Sequence, residues 1–161
     1  MHENHLKLME FLLAVDLGVK TGFSVFNSEG KLVWYQSRNF GNRKRLKEAI
    51  PEIIQRFDPL THLFMEGGGE MGEIWTRATQ YNRLEVAMIH AEEWRKDLFY
   101  PRELTHKREL KIKARHYAEK VIKTLGIQKF LKPDADAAEA ILIGLWAAWK
   151  LGWVKDVGFI H

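Results

Sequence analysis

Near its N-terminus the chain reads Phe11-Leu-Leu-Ala-Val-Asp-Leu-Gly-Val-Lys-Thr-Gly-Phe-Ser-Val-Phe-Asn27. The apolar run at the start of this stretch, which ends at Asp16, is typical of a buried strand. A turn follows, and the alternation of apolar and small residues from Gly22 onward predicts a second strand. A second turn leads to a third predicted strand over residues 32–36. Three strands joined by such short turns predict an antiparallel meander.

The rest of the chain alternates between helical and extended patterns. Pro51 lies inside the first helical pattern and is expected to kink or split that helix. Gly67 to Gly69 form a flexible joint after the fourth strand, and Gly126 ends the long basic helix, for which Thr105 is the expected cap. The predicted helices cover residues 42–57, 74–91, 105–125 and 134–151, and the predicted later strands cover residues 61–66 and 98–100.

This order of elements predicts an α/β fold. Three antiparallel N-terminal strands are followed by strands that alternate with helices, which favours parallel pairing. We therefore expect one mixed sheet with helices on both faces. A length of 161 residues fits one domain, residues 1–161, in which residues 1–9 and 152–161 are expected to be peripheral tails.

The composition excludes several classes of protein. The chain has no cysteine, which rules out disulfide scaffolds, thiolate metal sites and a cysteine nucleophile. No apolar run approaches the roughly 20 residues that a membrane span needs, and the N-terminal pattern is not that of a signal peptide. We therefore predict a cytoplasmic protein without a membrane partner. The formal net charge of +4 is compatible with an acidic partner such as nucleic acid.

Four acidic residues do not fit the apolar pattern around them. Asp16 and Glu66 end the two most hydrophobic strands, and Asp136 and Glu139 lie in the first turns of an otherwise apolar helix. If the two strands are parallel neighbours, their last side chains meet at one edge of the sheet. The spacing of Asp136 and Glu139 puts both carboxylates on the same helix face. The helix could then complete a group of four carboxylates.

Such a group predicts a site for hard divalent cations. Clustered carboxylates repel one another unless cations lie between them, and oxygen ligands suit Mg²⁺ or Mn²⁺. Two ions roughly 3.5–4 Å apart would suit in-line hydrolysis of a phosphodiester. Each residue also has a simpler interpretation, because Asp16 could form a turn and the helix pair could complement the helix dipole. Asp134 is expected to be the helix N-cap rather than a ligand.

Three segments of the chain resemble the RuvC-type Holliday-junction resolvases, a branch of the ribonuclease H-like nucleases. Ala14-Val-Asp-Leu-Gly-Val-Lys-Thr-Gly22 is similar to the first strand and turn of that family, and Leu63-Phe-Met-Glu66 to its second metal-binding strand. Ala135-Asp-Ala-Ala-Glu-Ala140 resembles the start of the closing helix, although Glu139 stands where the family usually has Asp. The segment after Glu66 also differs from cellular resolvases. The resemblance covers roughly residues 10–152.

The resemblance implies a ribonuclease H-like fold and a metal-dependent endonuclease that acts on branched DNA. Asp16, Glu66, Asp136 and Glu139 would hold two Mg²⁺ or Mn²⁺ ions. Water would attack the scissile phosphate in line, leaving a 5′-phosphate and a 3′-hydroxyl. Resolution of a four-way junction needs two symmetric cuts, so a homodimer is expected.

Basic residues provide candidate DNA contacts. Lys107, Arg108 and Lys111 lie in the first turns of the long basic helix, and the resemblance places basic residues there beside the active site. Lys20, in the turn after Asp16, and Arg77, after the glycine joint, are further candidates. A charged helix face exposed to water is the simpler interpretation of these residues.

The predicted helix over residues 74–91 is a candidate dimer interface. Leu84, Met88 and Ile89 lie on one side of it. Trp75, near its start, is interpreted as a core residue or a dimer contact.

Two alternatives to a junction resolvase remain open from the sequence. One is a nuclease of the same fold that acts on RNA, as the pre-ribosomal RNA type does, or on another DNA structure. The other is a nucleic-acid binding protein of this fold without catalysis. The sequence contains no glycine-rich phosphate loop of the nucleotide-binding kind, so no nucleotide cofactor is expected.

Overall fold

A computed structural model describes residues 8–161 and contains one five-stranded sheet flanked by helices. The strand order is β3-β2-β1-β4-β5, with antiparallel pairs among the first three strands and parallel pairs from β1 to β4 and from β4 to β5. The predicted mixed α/β sheet is therefore confirmed. The elements are β1 (Phe11–Asp16), β2 (Lys20–Asn27), β3 (Leu32–Asn39), α1 (Arg43–Arg56), β4 (Leu60–Glu66), α2 (Gly69–Thr79), β5 (Glu85–Ile89), α3 (Ala91–Leu98), α4 (Lys107–Leu125) and α5 (Ala135–Lys150).

Two apolar clusters lie on opposite faces of the sheet. Helices α1 and α2 cover one face, where Ile50 and Trp75 pack on Phe23 and its neighbours. Helices α3, α4 and α5 cover the other face. Helix α5 is buried along most of its length, because it packs against β1 and β2 on one side and against α4 on the other. The helices lie on both faces, as expected.

The predicted helix over residues 74–91 is wrong in its second half. Helix α2 begins at Gly69 and ends at Thr79, and the chain then turns through Arg83, which has a positive φ of 52°. Residues 85–89 form strand β5, which pairs in parallel with β4. The predicted strand over residues 98–100 is also wrong, because Leu98 ends helix α3 and a 3-10 helix begins at Pro101. In residues 85–89, pairing with β4 outweighs the helical spacing of the apolar residues.

Pro51 does not split α1, which is continuous from Arg43 to Arg56. The proline lacks an N–H that would bond to the carbonyl of Lys47, and both residues are exposed, so water can satisfy that carbonyl. Helix α4 begins at Lys107, two residues after the expected cap. Thr105 instead ends the 3-10 helix, where its hydroxyl donates to the carbonyl of Arg102.

Both ends of the chain were expected to be tails. Most of the N-terminal expectation lies outside the described residues, which begin at residue 8. At the other end, Val154 and Ile160 are buried against the core, and a short 3-10 helix spans Gly158–Ile160. The C-terminal segment therefore packs on the domain. Within residues 8–161, no helix has the length and apolarity needed to cross a membrane.

Candidate metal centre

Strand pairing brings the first two carboxylates together. In the parallel pair of β1 and β4, Asp16 lies directly opposite Glu66, and each is the last residue of its strand. The backbone hydrogen bonds of the parallel ladder between β1 and β4 set this register. After Glu66 the chain turns at Gly67, whose φ of 121° is accessible mainly to glycine. Both carboxylates therefore leave the sheet at the same edge.

Small residues bring the N-terminus of α5 to the same edge. Gly22 pairs with Asp16, and a Cβ at Gly22 would lie 2.0 Å from the carbonyl oxygen of Asp136. One turn further along, the hydroxyl of Ser24 donates to the carbonyl of Ala140 over 2.6 Å. Strand β2 and helix α5 therefore touch backbone to backbone, which only a residue without a side chain permits at Gly22. This contact delivers Glu139 to the edge that carries Asp16.

Three of the four predicted ligands form a compact group. Carboxylate oxygens of Asp16, Glu66 and Glu139 all lie within 4.8 Å of one another. Glu66 is only 9% exposed. Among the described residues, the group within that distance does not include Asp136. The Asp136 carboxylate is nevertheless close enough for its charge to raise the pKa of Asp16.

Burial and mutual repulsion make Asp16 and Glu139 hard to ionise. Burial, together with the neighbouring charges of Glu139 and Glu66, raises the pKa of Asp16 to about 9. Burial also raises the pKa of Glu139, where the Arg95 guanidinium opposes the shift and the charge of Glu66 adds to it. A divalent cation would relieve both effects at once. The donor set consists of carboxylate oxygens, so these residues fit Mg²⁺ or Mn²⁺ better than a metal that prefers sulfur or nitrogen.

Two neighbouring residues on α3 contact the carboxylates, and the sequence patterns do not predict them. The indole Nε1 of Trp94 donates to Oε1 of Glu66 over 3.0 Å, inside the protein. The guanidinium of Arg95 donates to Oε1 of Glu139, also over 3.0 Å. These contacts join residues 28 and 44 positions apart in the chain, so no local spacing indicates them. The one available signal is the position of α3 directly after a strand of the same sheet.

Asp134 is the N-cap of α5, as predicted. Its carboxylate accepts the backbone N–H of Ala137 over 3.0 Å and the hydroxyl of Ser37, and Lys20 lies 2.7 Å away. Burial raises the pKa of Asp134, but the hydrogen bonds from Lys20, Ser37 and Ala137 outweigh it and hold this pKa at about 2. Lys20, a predicted DNA contact, is therefore an exposed ion-pair partner of this cap.

The remaining predicted DNA contacts lie on the surface. Lys107, Arg108 and Lys111 are exposed in the first turns of α4. Arg77 is exposed on α2 and lines a cavity of about 500 Å³ between α1 and α2 together with Arg43 and Lys47.

A neighbouring cavity of about 630 Å³ lies between the β1–β2 turn and the start of α1, and includes Gly18. Gly18 is two residues after Asp16 in the chain. Arg43, Lys44 and Glu70 line this cavity, so its wall carries both basic and acidic side chains.

The strand order and the helices on both faces are those of a ribonuclease H-like fold. No protein-family model matches the chain, and no curated protein matches its sequence. RuvC of T. thermophilus, solved in complex with a Holliday junction substrate, is similar with a TM-score of 0.62 at 11% identity, over 89% of this chain and 95% of that chain. The yeast mitochondrial Holliday junction resolvase Ydc2 is similar over 92% of this chain and 84% of that chain, with 13% identity and a TM-score of 0.48.

The chain therefore has the fold of RuvC over most of its length. This confirms the resemblance that three short motifs indicate. At 11% identity, the likeness concerns the fold.

Proposed function

We propose that this protein is a metal-dependent endonuclease that cleaves branched DNA and resolves four-way junctions by paired symmetric nicks. The observation that carries the proposal is the group of Asp16, Glu66 and Glu139, whose carboxylate oxygens lie within 4.8 Å of one another. The similarity in fold to RuvC supports the same proposal. A buried acidic group of this kind has a high electrostatic cost, which a catalytic metal site explains.

Each acidic residue has a distinct part in the proposed site. Asp16, Glu66 and Glu139 would hold Mg²⁺ or Mn²⁺, and Asp136 would contribute to a second ion position. The bound ions would supply an activated water and charge stabilisation for in-line hydrolysis of a phosphodiester. Burial of Glu66 and the pairing of its strand with β1 keep the ligands fixed before substrate arrives. Arg95 holds one oxygen of Glu139 and reduces the repulsion within the group.

The DNA-binding surface is proposed to consist of the basic residues around this edge. Lys107, Arg108 and Lys111 on α4 are free to contact phosphates because they face solvent. Arg77 lines the cavity between α1 and α2, and Lys20 is the first residue of β2, after the turn that follows Asp16. Such contacts position a nucleic acid without reading its sequence.

The proposed enzyme is one domain that acts as a homodimer, since two symmetric cuts need two active sites. The residues predicted as its interface do not lie on a helix. Leu84 precedes β5, and Met88 is 42% exposed on this edge strand. Ile89 is buried and therefore is not available to a partner. The prediction of a cytoplasmic protein stays a prediction.

The test is cleavage of a labelled synthetic four-way junction with Mg²⁺ or Mn²⁺. Linear duplex, RNA–DNA hybrid and structured RNA serve as alternative substrates, and Asp16→Asn serves as the inactive variant. We expect paired symmetric nicks on the junction that the variant does not make. Cleavage of RNA or another DNA structure that depends on Asp16 would support the proposed metal site and assign a different substrate to it. Junction binding without cleavage of any substrate would favour a binding protein of this fold.

A further inference from the structure

Strand β5 and helix α3 place Trp94 directly at the metal centre. Ile89, the last residue of β5, is the parallel partner of Glu66, so both strands end at the same edge of the sheet. Helix α3 begins immediately afterwards, with His90 as its N-cap, whose backbone N–H donates to Glu93 over 3.1 Å. Trp94 follows one turn into the helix. Because β5 ends opposite Glu66, the indole of Trp94 also lies beside Glu66.

The position of α3 is fixed from the other side by α5. Nε1 of Trp146 donates to Oδ2 of Asp97 over 2.8 Å, and Arg95 donates to Glu139 over 3.0 Å. Trp94 itself is fully buried, so its indole has little freedom to rotate. A rigid helix thus presents one indole N–H at a fixed place.

The hydrogen bond from Trp94 suits a metal ligand. The indole N–H is a neutral donor that makes a single hydrogen bond, and a carboxylate has two oxygens with about four acceptor positions. When Oε1 of Glu66 accepts the indole N–H, Oε2 is left for a cation. A neutral donor also adds no positive charge that would oppose a metal ion. Outer partners of this kind hold metal ligands in their binding orientation.

We propose that Trp94 is a positioning residue that holds the Glu66 carboxylate in the orientation needed to bind a divalent cation. This inference rests on the proposed metal centre and on the 3.0 Å hydrogen bond between the two side chains. It assigns to α3, which the sequence analysis does not predict, a part in metal binding. Trp94 acts through Glu66 and does not contact substrate.

Trp75 provides a matched control within the same chain. It is also a fully buried tryptophan, on the opposite face of the sheet, where it packs against Phe23. Its Nε1 is buried and meets no hydrogen-bond acceptor within residues 8–161. Substitution of either tryptophan by phenylalanine removes an indole from the core, but only Trp94→Phe removes a donor to a carboxylate. The difference between the two variants isolates the hydrogen bond from the loss of packing.

The experiment measures Mn²⁺ binding to the DNA-free protein by electron paramagnetic resonance, for wild type, Trp94→Phe and Trp75→Phe. We expect the Kd of Trp94→Phe to rise about tenfold or more and the Kd of Trp75→Phe to stay within about twofold of wild type. In a Glu66→Gln background, Trp94→Phe is expected to cause little further loss, because the residue acts through Glu66. Equal Kd values for wild type and Trp94→Phe would overturn the inference and leave the proposed nuclease intact.

A second measurement needs no variant at the tryptophan. In a ¹⁵N-indole spectrum of the wild-type protein, the Trp94 signal is assigned as the one that moves in Glu66→Gln. We expect this signal to shift when Mg²⁺ is added and the Trp75 signal to stay in place. If the Trp94 signal does not shift when Mg²⁺ binds, the inference is wrong. Absence of any metal binding by wild type removes both the inference and the metal-dependent function, whereas metal binding without DNA cleavage removes only the latter.

Discussion

The carboxylates of the proposed metal centre come from two regions that are positioned in different ways. Asp16 and Glu66 end adjacent strands, and the backbone hydrogen bonds between β1 and β4 set them opposite each other. Glu139 comes from α5, which no strand ladder holds and which reaches the sheet through contacts of small residues such as Gly22. Strand register therefore positions one pair, and close packing positions the other ligand. We therefore expect the strand pair to tolerate changes in its surroundings better than Glu139 does, because the position of Glu139 depends on a few close contacts of α5.

Loss of Asp16 is expected to have the largest effect on activity, because its carboxylate lies close to those of both Glu66 and Glu139. Asp16→Asn keeps the shape of the side chain and removes one charged ligand. We expect cleavage to fall by at least about a thousandfold, because a metal ion in such a site contributes several kcal/mol to catalysis. Single-turnover cleavage assays measure this.

Asp58→Asn, at an exposed position, is the matched control and should leave cleavage unchanged. An Asp16→Asn variant that still cuts at near wild-type rate would remove this residue from the proposed site.

The contact at Gly22 tests the helix-borne ligand. Gly22→Ala would place a Cβ 2.0 Å from the Asp136 carbonyl oxygen, so β2 and α5 must move apart. We expect a loss of stability of about 1–3 kcal/mol, typical of overpacking, together with weaker Mn²⁺ binding because Glu139 moves with the helix. Urea unfolding and metal titration measure the two effects.

Gly68→Ala is the control for this substitution. Its φ of 178° suits any residue, and no described atom lies within 4 Å of a Cβ placed there. Unaltered metal binding by Gly22→Ala would show that α5 does not need this close approach to deliver Glu139.

Asp16 should also govern how the free energy of unfolding depends on pH. Burial, together with the neighbouring charges of Glu139 and Glu66, raises the pKa of Asp16 to about 9 in the metal-free protein, so the folded state keeps a proton that the unfolded chain releases. The free energy of unfolding should therefore fall as the pH rises from about 5 to 8, by up to about 1.4 kcal/mol per pH unit. The raised pKa of Glu139 acts in the same direction.

Urea unfolding in the presence of a chelator measures this dependence. Asp16→Asn should reduce this dependence and should be more stable than wild type at neutral pH, because its amide takes up no proton when the chain folds. A metal-free wild type whose stability rises over this interval would show that the carboxylates are not buried together.

The sequence predicts the strand-borne half of the site well and the region after it poorly. The run that ends at Asp16 is apolar and buried, so local pattern and tertiary environment agree there. In residues 74–91 the spacing of Leu84, Met88 and Ile89 fits a helix, but pairing with β4 makes residues 85–89 a strand. That pairing is non-local and leaves no periodic signal in a short edge strand. The missed strand also concealed Trp94, because its contact with Glu66 depends on where β5 ends.

The smallest expected effects belong to the basic residues of α4, which act on binding rather than on the metal centre. Lys107 and Lys111 are exposed, so each can contribute at most a phosphate contact in a medium of high dielectric constant. Lys107→Ala and Lys111→Ala should each reduce the slope of log K against log salt concentration by about 0.9 if each contacts one phosphate of duplex DNA. Fluorescence anisotropy with a labelled junction, at several salt concentrations and with Ca²⁺ in place of Mg²⁺, measures this.

Lys155→Ala, near the C-terminus and also exposed, is the control and should leave the slope unchanged. If each lysine contacts its own phosphate, the double variant should reduce the slope by about the sum of the two single effects. This additivity separates α4 from the metal centre, where Asp16, Glu66 and Glu139 lie within 4.8 Å and the loss of one ligand alters the others. A slope that does not change in either variant would move the DNA path away from α4, toward the cavity wall formed by Arg43, Lys47 and Arg77.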